Sequence, residues 1–126
     1  MDKNELEDRT KRFALRVIRF VAGLPKNKVT DVMGYQLLKA GTSVGANYRE
    51  ANRAVSRNDF IAKTCAEHRR SIGIVEKEAA ETEYWLALFD ESDIGDMAER
   101  RWLLGESGEL LAIFTASGHT AKSHRP

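Results

Sequence analysis

Three histidines and one cysteine are the side chains here best suited to metal binding or nucleophilic attack, and their spacing argues against both roles. His119 and His124 fall near the C-terminus, while Cys65 and His68 stand three apart. That pair could touch on a helix, but no carboxylate pattern completes a zinc or di-iron set around it. The Glu-x-x-His spacing of di-iron bundles is absent, because Glu67 and His68 are adjacent. Gly41 and Gly45 lack the strand–turn–helix setting of a phosphate loop. The chain therefore reads as non-enzymatic, with no catalytic residue, metal site or cofactor expected.

Two polar constellations carry more information. Gln36, Ser43, Asn47 and Glu50 recur at steps of seven, four and three, which places them on one line along a helix. Glu78, Glu81 and Thr82 on a later helix could meet that line. The expectation is a buried hydrogen-bonded seam that fixes helix register, every member needing a partner. A ligand or catalytic pocket at the same residues is the rival reading. The second constellation is basic: Arg9, Arg12, Arg16 and Arg19 step by three, four and three, and Arg49, Arg53 and Arg57 step by four. The guanidinium fork suits phosphate, so Arg12, Arg16, Arg19, Arg49, Arg53 and Arg57 are the expected nucleic-acid contacts. The aromatic residues that adjoin them, Phe13, Phe20 and Tyr48, belong to the expected apolar faces and offer no stacking platform, so sequence-independent backbone binding is expected.

The elements that must position these residues are helices. The first is expected from about Asn4 to Leu24, with Leu6, Phe13, Val17, Phe20 and Leu24 on its apolar face and Gly23 and Pro25 ending it. The second runs from Val29–Asp31 to about Val55, burying Met33, Leu37, Ala40, Val44, Tyr48, Ala51 and Val55. Gly34, Gly41 and Gly45 interrupt it at about 1 kcal/mol each relative to alanine. Their use, with Ala40, Ser43 and Ala46, is close approach of another helix. Ser56 is expected to cap a third helix reaching Asp90, buried through Ile61, Thr64, His68, Ile72, Val75, Ala79, Thr82, Leu86 and Phe89, with Trp85 beside them. Ser92 or Asp93 caps a fourth, with Ile94, Met97, Leu104, Leu111 and Phe114 inward. Residues 1–115 thus read as one all-α, up-down-up-down four-helix bundle, and 116–126 as a disordered tail.

Composition agrees with a globular domain: 126 residues, 42% hydrophobic and 31% charged. A single cysteine, no apolar leader and no membrane-length apolar run make a cytoplasmic protein the expectation. A net charge of +1 hides a split, residues 1–70 carrying +7 and residues 71–126 carrying −6. That split could form a partner-binding face, or it could join helices within the bundle or between subunits.

The segment from Gln36 to Ala51, reading Gln-Leu-Leu-Lys-Ala-Gly-Thr-Ser-Val-Gly-Ala-Asn-Tyr-Arg-Glu-Ala, resembles the signature of the bacterial "four helix bundle protein" family. That family was named for proteins encoded in intervening sequences of large-subunit ribosomal RNA genes. Asp59-Phe60-Ile61 and the stretch Glu78 to Leu86 resemble its second signature, and the resemblance covers about residues 8–92. The distance between those two parts is longer here by about two helical turns, around Thr64–Ser71, so the third helix is expected to be longer or interrupted. The resemblance implies a left-handed bundle assembled into a homopentameric ring. Relatives include the accessory variability determinant of diversity-generating retroelements, a basic pentamer that binds nucleic acid and a reverse transcriptase. Implied partners are therefore further copies of the chain, RNA or DNA, and a nucleic-acid-processing protein. A protein-interaction scaffold that binds no nucleic acid is the alternative.

Overall fold

The computed structural model describes residues 1–57 and 61–123, and the side chains of all these except 56–57, 61–65 and 118–123. They form four helices: α1 (Lys3–Ala22), α2 (Lys28–Arg57), α3 (Ile61–Glu91) and α4 (Met97–Ser123). No strand occurs among the described residues.

Local chemistry sets the ends. The Asp2 carboxylate accepts from the Glu5 N–H at 2.8 Å and starts α1, which stops where the Gly23 N–H reaches the Arg19 and Phe20 carbonyls. Asn27 and Thr30 exchange side-chain-to-backbone bonds at 3.0 and 3.1 Å, a reciprocal cap for α2. Asp96, rather than Ser92 or Asp93, caps α4, its carboxylate accepting from the Glu99 N–H at 2.9 Å. Ser92 and Asp93 belong to the turn before it, where Asp93 (φ 54°) and Gly95 (φ 86°) adopt left-handed backbone. Ser56 is not a cap for α3; it lies in the last turn of α2. α3 is continuous through the residues 64–71, and α4 extends to Ser123; residues 124–126 of the expected tail lie outside the described residues.

Each helix packs on its chain neighbour, and α1 also meets α4, while the diagonal pairs meet through side chains across the core. The glycines of α2 explain its side of this arrangement. A Cβ at Gly34, Gly41 or Gly45 would lie 3.1–3.2 Å from Val21, Val17 and Thr10 respectively, so α1 runs antiparallel along that ridge. The core between the helices holds Phe13, Val17, Leu37, Val44, Val75, Leu86, Phe89, Leu103, Leu110 and Phe114. Phe20 meets Phe89 edge-on with ring centroids 5.4 Å apart, and Tyr48 lies 5.2 Å from Phe114.

Two apolar faces differ from expectation. Val55 is exposed near the end of α2, and α4 is rotated by one residue from the expected face. Leu103, Ser107, Leu110 and Phe114 are buried, whereas Leu104 and Leu111 only flank the core and Met97 is exposed. The doublets Leu103-Leu104 and Leu110-Leu111 satisfy either rotation by hydrophobicity. Polar pairing decides between them, because this rotation aims Glu99 and Glu106 at α1 and Arg100 at the end of α3.

Candidate nucleic-acid interface

The arginine stripe of α1 is divided between two tasks. Arg9 donates to both carboxylate oxygens of Glu106 at 2.7 and 2.8 Å and reaches Glu109 at 2.7 Å. Arg16 forks onto Glu99 at 2.8 and 2.7 Å. These paired N–H···O bonds match the planar guanidinium to the carboxylate. The Arg16 hydrogen bond holds Glu99 below its ordinary pKa, as the Arg9 hydrogen bond does for Glu106. Antiparallel pairing makes α1 and α4 a ladder of opposite charge. Part of the charge split in the sequence is thus spent inside the domain. Arg16, expected to contact phosphate, is held by Glu99.

Arg12 and Arg19 remain exposed on the same flank. Each lies near enough to the ladder to act on it, Arg12 on Glu106 and Arg19 on Glu99. Arg49 lies elsewhere. It is 65% exposed and stands 3.7 Å from Glu7, which also accepts from the buried Asn52 amide at 2.8 Å. Glu7 and Thr10 face α2, whereas Arg9 and Arg16 face α4, so the two arginine sets border opposite sides of α1. Arg53 is exposed one turn beyond Arg49, and the side chain of Arg57 lies outside the described residues. The basic residues of the two helices thus lie on two separate edges.

The polar line on α2 does not close into a seam. The Ser43 hydroxyl donates to the Lys39 carbonyl of its own helix at 2.6 Å, and Thr82 donates to Glu78 of its own helix at 2.7 Å. Glu50 is exposed, and Gln36, Asn47 and Glu78 are half-buried. No hydrogen bond joins these α2 residues to Glu78, Glu81 or Thr82 among the described residues. A hydroxyl one turn from a helical carbonyl satisfies itself locally, and spacing alone does not reveal that. A side-chain hydrogen bond that does tie α1 to α2 joins Asn52 to Glu7, neither of them a residue the sequence singled out.

Two further residues escaped the sequence reading. Arg100 is 3% exposed and donates to Asp90 at 2.7 Å, the Gly95 carbonyl at 2.7 Å and Asp93 at 3.0 Å, pinning the α3–α4 turn. Its hydrogen bond leads the causes that lower the pKa of Asp90. Trp102 is the second: its ring lies under Arg16, with the guanidinium carbon 3.5 Å from the ring centroid. An aromatic surface therefore does stand beside the arginines, supplied by a helix more than eighty residues away. Among the described residues no group of three His, Cys, Asp or Glu is placed to hold a metal ion. No described helix is long and apolar enough to cross a membrane. The suggested meeting of Cys65 with His68 lies outside the described side chains.

A family model described as 23S rRNA-intervening sequence protein matches residues 2–116. Among solved structures, a protein of unknown function from the S23 ribosomal protein family of Bacteroides thetaiotaomicron is similar at 29% identity and a TM-score of 0.77. The alignment covers 94% of this chain and 99% of that one. No curated protein matches.

Proposed function

The chain belongs to the family of 23S rRNA-intervening sequence proteins, and from that premise we propose that it is a non-enzymatic, cytoplasmic accessory protein that works as an oligomer and contacts nucleic acid. The carrying observation is the exposed pair Arg12 and Arg19 beside a ladder whose carboxylates Glu99, Glu106 and Glu109 are already bonded to Arg9 or Arg16. The ladder sets two guanidinia against three carboxylates, and Arg12 and Arg19 turn its charge from −1 to +1. Arg49 and Arg53 add a second basic edge. The left-handed bundle and homopentameric ring implied by the family resemblance complete the proposal, since a ring would repeat both edges in every subunit and sum modest patches into a multivalent surface.

A protein-interaction scaffold is the second reading. Large apolar side chains stand exposed on every helix, among them Leu15 and Ile18 on α1, Tyr35 on α2, Tyr84 on α3 and Met97 on α4. Fluorescence anisotropy with labelled RNA and DNA at two salt concentrations separates the readings. Phosphate contacts predict that log affinity falls linearly with log salt, by roughly 0.7–0.9 per phosphate neutralised. Replacing Arg12 and Arg19 by Glu should weaken binding and flatten that slope without changing helicity. No binding by the parent at about 50 mM salt, where such contacts are strongest, would leave the scaffold. Light scattering checks the ring, and a monomeric mass at micromolar concentration would exclude it.

A further inference from the structure

The ladder between α1 and α4 carries one feature that charge pairing does not require, an indole standing half in solvent. Trp102 is 40% exposed, and one of its faces is backed by the Arg16 guanidinium. Arg16 is itself fixed by its two bonds to Glu99, so the ring rests on an immobilised cation. Of the residues one turn from Trp102 along α4, Glu99 and Glu106 are bonded to Arg16 and Arg9, whereas Ala98 and Gly105 are exposed and short, and a Cβ built at Gly105 would meet nothing within 4 Å. The outward face of the indole is thus free to receive a flat ligand. Arg12 and Arg19 stand one turn to either side of Arg16, about 10 Å apart along α1 by helical rise. Towards the start of α4 lies a cleft lined by Arg16, Arg19, Gly95, Glu99 and Asp96, the last committed to capping the helix.

We propose that Trp102 is a stacking platform for an unpaired nucleic-acid base, with Arg12 and Arg19 holding the phosphates before and after it. The proposal rests on the nucleic-acid reading above and names the form of nucleic acid bound. A single strand fits because its base must leave a helix to lie on the indole, whereas a duplex keeps its bases stacked. A basic peptide is the wrong ligand, since two flanking guanidinia would repel it. Stacking tolerates every base, so the site should prefer single strands over duplexes while discriminating little among sequences.

The test is fluorescence anisotropy with a short labelled oligothymidylate, an oligouridylate and a duplex of equal length. The parent should bind the single strands more tightly than the duplex. Trp102→Ala should lose about 5- to 150-fold in single-strand affinity, the range of one base–aromatic stack, while Trp102→Phe keeps most of it. Melting temperature and oligomer mass should be unchanged in both variants. In a Trp85→Phe background, saturating oligothymidylate should quench the emission of Trp102. Equal binding by Trp102→Ala and parent would overturn the stacking site and leave the arginine edges as the nucleic-acid contact. A change of oligomer mass in Trp102→Ala without loss of oligonucleotide affinity would assign the indole to a contact between copies. No binding of any nucleic acid by the parent would overturn both this proposal and the reading beneath it.

Discussion

Alanine substitution at the glycines separates close helix approach from mere tolerance of glycine, because the same chemical change should have opposite signs at different positions. An alanine is worth about 1 kcal/mol over glycine in a helix interior. At Gly105 and Gly73 the added methyl would meet nothing within 4 Å, so each substitution should gain that amount, about 3–5 °C in melting temperature for a chain of this size. At Gly41 the methyl would lie 3.1 Å from both γ carbons of Val17, which is fully buried. Overpacking of about 1–3 kcal/mol then outweighs the helical gain, for a net loss of roughly 0–2 kcal/mol. Gly45 should be worse. Its methyl would lie 3.1 Å from the Thr10 hydroxyl and 3.4 Å from the Thr10 carbonyl carbon, and that hydroxyl is tied to the Glu7 carbonyl at 3.0 Å. The obstacle there is partly backbone, so α1 must shift as a body. Thermal melts followed by circular dichroism at one fixed protein concentration, with urea titrations beside them, read all four variants. If Gly45→Ala melts with Gly105→Ala, α1 does not depend on the glycine ridge and the account of the α1–α2 contact is wrong.

The ion pairs give a pH dependence of known direction. Glu99, Glu106 and Asp90 have folded pKa values below their ordinary ones, through Arg16, Arg9 and Arg100 respectively, so the unfolded chain binds more protons in acid. Their stabilisation is complete at neutral pH and should be lost as pH falls from about 5 through the folded values; the urea midpoint at pH 3 should lie below that at pH 6, and Glu106→Gln should narrow the gap. Arg100→Met should destabilise by about 1–3 kcal/mol, the cost of leaving the Gly95 carbonyl without its donor in the α3–α4 turn, and calorimetry would measure it. Ser43→Ala should change stability by no more than about 0.5 kcal/mol, since its hydroxyl serves only its own helix, and a larger loss would revive the expected seam.

What could be read from the sequence was what one helix records by itself. The apolar face of α1 from Leu6 to Leu24 is buried as its period predicts, and the glycines of α2 meet a neighbouring helix as their size predicts. α4 was misread because its leucine doublets leave rotation undetermined. Its true face is chosen by Glu99, Glu106 and Arg100, whose partners lie on other helices. The polar line of α2 misled for the opposite reason. Periodicity showed that Ser43 and Asn47 share a face, but a serine can satisfy its own helix and leave nothing for a seam.

The arginines show why surface charge resists reading along one chain. Arg9, Arg12, Arg16 and Arg19 are alike in type and spacing, yet two are bonded to carboxylates from 83 to 100 residues away and two face solvent. Each Arg–Glu pair removes one cation from the face and one anion from its surroundings. The net charge of the ladder is nearly unchanged by folding, but its distribution is not. The acids become pinned acceptors, while Arg12 and Arg19 keep their donors for a ligand. Arg16 is not lost to recognition in this scheme. Held by Glu99, it orients Trp102, so an arginine withdrawn from phosphate contact can still shape the surface on which a base would rest.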